Sequence, residues 1–551
     1  MGKFLRIAVV FVSVLLTVPV WAQNTETTIN GTVSDNLGLT LPGVTITVKD
    51  TKISVATNMD GKYVITVPAN AKTLVFTYLG MQTQEVNINN RTNVDVSLQS
   101  ASRHLDEVVV IGYGTTRRAN ITSAISSITE KDIKDLPVAG IDQALQGKVA
   151  GVTVNTNGGA PGGGVSVRIR GITSVGAGGN EPLYVVDGVP IQATRTSVAQ
   201  DQLGGNAGQN VNSALASLNP SDIASVDILK DASAQAIYGS RAANGVVLIT
   251  TKKGKAGEGK VQYDVYYGRA YVPKKLDLMD LSQFAQYNNE VLSEIATVNG
   301  NDYFPIGEYQ NPAILGKGTD WQDAIYQTGI TQNHQLAFSG GSDKTTYYTS
   351  LNYYNQSGTI IGSGLQRYNV HFNLDQKVKP WLNFGINANL SRSNQRITLT
   401  NGSDAIVTVA AYNSPAAPVT TGDGNYAGVI SVGGYSFGNL TNPVAKATLR
   451  DVRNIQSQAF ANIYADLIFT RHLNFRSEAS FSATQAQNSS FQPYVAATDG
   501  QVILTPSKLI EQRGSGIFWR LVNYLNYNET FGVHTISAQL GHEAQLSNYD
   551  D

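Results

Sequence analysis

Leu382-Asn383-Phe384-Gly385-Ile386-Asn387-Ala388-Asn389-Leu390-Ser391 alternates an apolar side chain with a small or polar one at every step. Successive side chains of an extended strand leave on opposite faces, so this stretch carries one apolar face and one of asparagine, glycine and serine. Upstream, Tyr368, Val370, Phe372 and Leu374 repeat the pattern against Asn369, His371, Asn373 and Asp375. Downstream, Leu473, Phe475, Ala479, Phe481 and Ala483 do so against Asn474, Arg476, Glu478, Ser480 and Ser482. A soluble sandwich alternates in the same way, so the pattern defines strands without defining their surroundings.

The connections are more telling. Nine candidate strands fall near 260–273, 329–339, 345–356, 365–378, 381–396, 453–469, 473–487, 516–530 and 533–547. Tight junctions at 340–344, Lys379-Pro380, 470–472 and Phe531-Gly532 alternate with gaps at 274–328, 357–364, 397–452 and 488–515. Short turns at one end and long loops at the other are how outer-membrane barrels are built, whereas a sandwich has no reason to sort its loops. Such barrels close on an even number of strands, and an open edge in lipid leaves backbone groups unpaired. Residues 260–551 are therefore expected to be the first strands of a transmembrane β-barrel, truncated within it.

Composition agrees. The 551 residues carry 40 basic and 41 acidic side chains, which gives no basic footprint for nucleic acid. There is no Cys, so disulfides and thiolate metal sites are excluded. The 26 Tyr against 16 Phe, with 53 Gly, fit an all-β chain with wet surfaces, either the interfacial aromatic belts of a barrel or a soluble sugar-binding sandwich. Lys3 and Arg6 precede an apolar run from Ile7 to Val20, and Val20-Trp21-Ala22 is a small-x-small cleavage site. That run is shorter than the ~20 residues needed to span a bilayer. Residues 1–22 read as a signal peptide cleaved between Ala22 and Gln23, and no later run is apolar enough for a transmembrane helix.

Residues 24–98 read as a small β-sandwich, with strands at 29–33, 44–48, 63–67, 74–78 and 94–98 separated by turn residues. Next comes Leu105-Asp106-Glu107-Val108-Val109-Val110-Ile111-Gly112-Tyr113-Gly114, whose β-branched run favours an extended strand. On pattern alone it is either a buried central strand or a strand offered to a partner's sheet edge. Residues 116–253 are mixed α/β and glycine-rich. Short helices are expected at 141–146, after the cap Asn219 with Pro220 at its first position, and at 232–238 ahead of Gly239. Strands are expected at 165–170, 183–186, 226–229 and 246–251. Arg168, Arg170, Asp187, Asp227, Lys230, Asp231 and Arg241 are candidates to pair with a polar barrel wall, or else ordinary surface charges.

Three motifs carry a resemblance. They are Leu183-Tyr184-Val185-Val186-Asp187-Gly188-Val189-Pro190, the long run from Asn219-Pro220-Ser221-Asp222-Ile223 through Tyr238-Gly239-Ser240-Arg241 to Lys253-Gly254, and Asp106 to Gly114. Together these resemble the SusC/RagA family of TonB-linked outer-membrane receptors. The resemblance covers the chain in order: signal peptide, Ig-like carboxypeptidase-regulatory-like sandwich (24–98), Ton box (105–114), plug (116–253) and barrel start (260–551). It implies that Asp106, Glu107, Val108, Val109, Val110, Ile111, Gly112 and Tyr113 form the strand that binds TonB. It also implies a barrel of 22 strands at full length. The implied partners are a SusD-like surface lipoprotein, an oligosaccharide or oligopeptide substrate, and outer-membrane lipid.

Other signals are weak. Gly254-Lys255-Ala256-Gly257-Glu258-Gly259-Lys260 looks like a phosphate loop, but Val261 stands where Ser or Thr must hold magnesium. His542-Glu543 begins a metalloprotease motif, but Leu546 replaces its second histidine. No enzyme activity, cofactor or metal is expected. The leading expectation is an importer of oligomeric nutrients. A TonB-linked signal transducer and a non-transporting glycan-binding adhesin are the alternatives, and the latter leaves the Ton box and plug motif unexplained.

Overall fold

The computed structural model describes residues 26–98, 108–117, 125–191, 215–305, 307–428, 442–496 and 507–550, apart from short gaps within them, with 431–432, 435–436 and 502–504. The proposed cleavage site Ala22–Gln23 and, in the coupling segment, Asp106, Glu107, Gly112 and Tyr113 lie outside the described residues. The chain divides into two compact units, one holding residues up to Val109 and the other those from Thr122 on.

The first unit is a sandwich of seven short strands: β1 (Glu26–Asp35), β2 (Thr45–Val48), β3 (Ser54–Ala56), β4 (Lys62–Pro68), β5 (Thr73–Thr77), β6 (Gln84–Asn87) and β7 (Val96–Leu98). They pair as β4-β1-β7 and β3-β2-β5-β6. Every second residue of β4 is buried, and Ile29, Ile46, Ile65, Leu74, Phe76 and Leu98 form one core. Tyr63 meets Phe76 edge-on at 5.6 Å and donates to the Val94 carbonyl at 2.8 Å. Burial pushes its hydroxyl pKa up to about 12. The five expected strands are present, and β3 and β6 join them.

Next in sequence, β8 (Val108–Ile111) pairs with β9 (Gly114–Arg117) in a two-stranded sheet. Extended backbone is what the run of valines favours.

The second unit begins with a five-stranded sheet. Its strands are β10 (Ile125–Thr129), β13 (Leu183–Val186), β14 (Val189–Ile191), β15 (Ile223–Leu229) and β16 (Val246–Thr251), in the order β10-β15-β16-β13-β14. β13 and β16 run parallel, and a separate hairpin joins β11 (Val152–Thr156) to β12 (Val165–Ile169). Val167, Val186, Val226, Ile228, Val247 and Ile249 are central to a single core. The helices are shorter than expected. Ile141–Ala144 makes one turn, and Pro220–Asp222 is a 3₁₀ turn whose cap Asn219 accepts from the Ser221 amide at 3.3 Å. Ala236–Ala242 is broken at Gly239, whose φ of 66° is the left-handed geometry glycine tolerates.

The wall is one sheet of nine strands, each antiparallel to its neighbours. β17 (Gly257–Ala270), β18 (Gly329–Gly341), β19 (Thr345–Ser357), β20 (Gly364–Lys379) and β21 (Leu382–Arg396) come first. The long loops then carry small hairpins, β22 (Ser431–Val432) with β23 (Tyr435–Ser436) and β26 (Val495–Ala496) with β27 (Val502–Leu504). The sheet continues through β24 (Asp451–Ile468), β25 (Leu473–Gln492), β28 (Lys508–Phe531) and β29 (His534–Asp550). All nine expected strands are there, and the junctions between them alternate short and long. The gap 274–328 is not plain loop: Leu281–Val298 is a helix with a capping box between Asp280 and Gln283.

The polarity of this sheet is inverted relative to a soluble one. Outward-facing Leu390, Val370, Phe481 and Trp519 are exposed, at 52%, 38%, 45% and 41%. Inward-facing His371, Asn373, Ser350 and Asn369 are 0%, 1%, 1% and 2% exposed. An apolar outer face against a polar, buried inner face suits hydrocarbon outside and a polar filling inside. Among the described residues no helix is long and apolar enough to cross a membrane.

Candidate functional site

The polar inner face closes on the domain formed by β10–β16, the plug. At the centre of the contact is Asp222, 2% exposed and brought to the wall by the Asn219-Pro220 turn. Its Oδ1 accepts from Gln335 Nε2 at 2.8 Å, Tyr348 Oη at 3.0 Å and Ser350 Oγ at 2.6 Å, on β18 and β19. Its Oδ2 accepts from Asn219 Nδ2 at 2.9 Å, and the same Nδ2 donates to Gln335 Oε1 at 2.9 Å. A buried carboxylate is tolerable when its lone pairs are filled by donors in this way.

More bonds tie the plug to β20 and β21. Arg367 Nη1 donates to the Ala139 carbonyl at 2.6 Å, Gln395 Nε2 to that of Pro161 at 2.7 Å, and Asn369 to that of Ser217. Asn387 Nδ2 donates to Asp187 Oδ2 at 2.7 Å, while Asp187 also accepts from the Thr251 amide and hydroxyl at 2.9 and 2.7 Å. Against β28, Arg520 Nη1 reaches the Gly188 carbonyl at 3.2 Å, and Val189 packs with Phe460 and Phe518. Inside the plug, Tyr184 Oη donates to Glu181 Oε2 at 3.3 Å. Burial holds the Tyr184 hydroxyl pKa well above its ordinary value and also raises that of the Glu181 carboxyl.

Of the seven charges considered from the sequence, Asp187 and Arg241 bond the wall. Asp187 does so through Asn387, and Arg241 donates to Gln545 at 3.2 Å. Others bond within the plug. Arg170 pairs with Asp231, Lys230 holds Ser126 and the Ala150 carbonyl, and Asp227 accepts from Ser127 and Ser225. Sequence reasoning missed Asp222 and its wall donors, whose partners lie more than 100 residues away. The discounted glycine run has a structural use: a Cβ on Gly254 would lie 2.3 Å from the Tyr347 amide nitrogen, so the plug's exit presses on the wall backbone. Among the described residues no group of three or more His, Asp or Glu is placed to hold a metal.

Comparison with known proteins gives this arrangement a class. Residues 117–246 match the TonB-dependent receptor plug domain, and 29–110 match the CarboxypepD_reg-like domain. TonB-dependent receptor P3 of Formosa agariphila is 35% identical over 548 residues, 96% of this chain and 49% of that protein. TonB-dependent receptor SusC of Bacteroides thetaiotaomicron is 30% identical over 494 residues, 86% of this chain and 46% of that protein. A structure of the RagAB peptide importer in its open-open state superposes with a TM-score of 0.62 at 25% identity, over 80% of this chain and 50% of that one. The chain carries a TonB-dependent receptor plug domain, and along most of its length it is similar to TonB-dependent receptors. Within that class its kin are of the SusC/RagA kind, and it spans about half the length of the curated relatives it matches.

Proposed function

We propose that this chain is the plug-bearing part of a TonB-dependent transporter of the bacterial outer membrane, importing an oligomeric nutrient, glycan or peptide. The observation that carries the reading is the inverted wall. Its outer face is apolar, and its inner face is spent on hydrogen bonds to a folded plug that obstructs the lumen. A lumen filled in this way serves transport only if the plug can be moved, which requires a handle.

Asp106 to Tyr113 is that handle, with Val108–Ile111 already extended. TonB would add to it as a neighbouring strand and draw energy from the inner membrane. The proposed boundaries are a signal peptide at 1–22, the sandwich at 24–98, the Ton box at 105–114, the plug at 116–253 and the barrel from 260. A SusD-like lipoprotein is the proposed surface partner, in keeping with the SusC and RagAB relatives.

The test is Val109→Pro in the intact receptor. Proline removes one amide donor and hinders the ladder, whereas Val109→Thr keeps the extended backbone. Val109→Pro should abolish nutrient uptake while leaving surface binding intact, and Val109→Thr should largely spare both. Normal import by Val109→Pro cells would remove this segment as the coupling strand. Loss of surface binding would make it a structural strand instead.

A further inference from the structure

The plug is held unevenly. Toward β18–β21 it is fixed by the Asp222 cluster and by the bonds from Arg367, Asn369, Asn387 and Gln395. Toward β24 and β28 it is touched near Gly188 and Val189, by Arg520 and by packing on Phe460 and Phe518, and a cavity of about 530 Å³ separates it from the wall at the tight-turn end, beside residues 470–472. The plug contributes Asp187, Gly188, Thr250 and Lys253 to this space. A second space of about 340 Å³ adjoins it, sharing Lys253, Tyr464 and Asp466.

The wall side chains in this space are occupied with one another. Arg476 Nη1 lies 3.1 Å from Asp466 Oδ2, its Nε lies 3.3 Å from Glu478 Oε2, and its guanidinium sits 3.7 Å above the Tyr464 ring. Tyr464 donates to Asp375, and Asn462 Nδ2 donates to Glu478 at 3.2 Å. Among the described residues, none of Tyr464, Asp466, Arg476 and Glu478 hydrogen-bonds the plug. Moving the plug away from this wall would break the Arg520–Gly188 bond and the Val189 contact but no bond of these four, whereas moving it from β18 and β19 would strip a buried carboxylate of its donors.

We infer that the plug opens as a door against β24–β28 while staying seated on β18–β21, and that cargo leaves along this seam. The inference rests on the transport reading above and names the side on which the path forms. The seam wall bears both signs of charge and tyrosine faces, a lining suited to a polar or zwitterionic oligomer.

The register supplies a matched pair of probes. Asn373 pairs with Asn387, Asn387 with Asn462 and Asn462 with Ser480, so Asn373 on β20 and Ser480 on β25 lie in one register line across the wall. Both face inward and are buried, at 1% and 3% exposure. The chain has no Cys, so Asn373→Cys and Ser480→Cys each give a single thiol in the intact receptor. Membrane-impermeant fluorescein maleimide is added outside cells growing on the imported nutrient, with and without an uncoupler.

The expected result is labelling of Ser480→Cys at least ~10-fold faster in energised cells, with Asn373→Cys unchanged. Equal labelling of the two, preferential labelling of Asn373→Cys, or energy-independent labelling at Ser480→Cys overturns the inference. Full labelling of both in denaturant confirms that each thiol is reactive. Closing Val189→Cys/Phe518→Cys with an oxidant should stop uptake until reductant is added, whereas Asn219→Cys/Gln335→Cys should import when closed. The opposite pattern overturns the seam. If wild-type cells take up neither peptide nor glycan, the transport reading itself has failed, and that is scored separately.

Discussion

Replacing Asp222 with alanine removes the acceptor on which three wall donors and one plug donor converge. A hydrogen bond to a charged group is worth ~1.5–3 kcal/mol net, and a buried donor left without a partner costs ~1–3 kcal/mol. Simple addition overstates the loss, because the Tyr348 and Ser350 hydroxyls can turn to other acceptors and the four bonds form one network. A loss of ~3–5 kcal/mol in plug seating is expected, which at 1.4 kcal/mol per decade is roughly 10²- to 4 × 10³-fold. Asp222→Asn keeps an acceptor for the wall but turns a donor on Asn219, so it should lose ~1–2 kcal/mol. The assay is hydrogen exchange by mass spectrometry on the intact receptor in detergent, following the amides of Ile223–Leu229 and Val246–Thr251. Their exchange should accelerate by those factors while β20 and β21 stay protected. If Asp222→Ala exchanges within ~3-fold of wild type, the carboxylate does not seat the plug and the reasoning fails.

Gly254→Ala would place a methyl 2.3 Å from the Tyr347 nitrogen, on backbone that cannot yield, so the heat-modifiable folded band should be depleted in outer membranes. Gly385→Ala would meet the Tyr464 ring at 2.3 Å and should cost ~1–3 kcal/mol by overpacking, read as a lowered melting temperature and reversed in the double variant with Tyr464→Ala. The sandwich, expressed alone as residues 24–98, should lose stability at high pH. Its Tyr63 keeps its proton when folded up to about pH 12 but gives it up near pH 10 when unfolded, so stability is full below pH 10 and falls by ~2–3 kcal/mol by pH 12. Tyr63→Phe should flatten that part of the denaturation curve, and an unchanged slope would place the titration elsewhere.

The strands of the wall were legible because their period of two persists over a dozen or more residues and because the turns sort by length. The same reading could not say which face looked outward, since Leu390 and Asn389 alternate identically in either setting. The helix Leu281–Val298 had a usable signal in Asp280 and Gln283 with Leu281, Phe284, Ala285 and Leu292 along one side, but it sat in a gap between strands and was passed over. The plug's short 3₁₀ turns were read as longer helices because caps mark where a helix starts more firmly than how far it runs. The plug seat was the hardest to foresee. Asp222 stood inside a quoted motif, yet nothing near it in sequence points to Gln335, Tyr348 or Ser350, which pairing of β18 with β19 brings together.

The alternation of the wall also bears on how such a chain is delivered. With an apolar residue only at every second position, no segment of the wall forms a continuous greasy helix of the kind an inner-membrane insertion machine retains. The same pattern then checks the assembly. A slip of one residue between β20 and β21 would turn Asn383, Asn387 and Asn389 toward hydrocarbon, at ~4–8 kcal/mol for each amide left without partners. A hairpin laid down in the wrong frame is therefore less stable than one in register, and each further misplaced amide widens the difference.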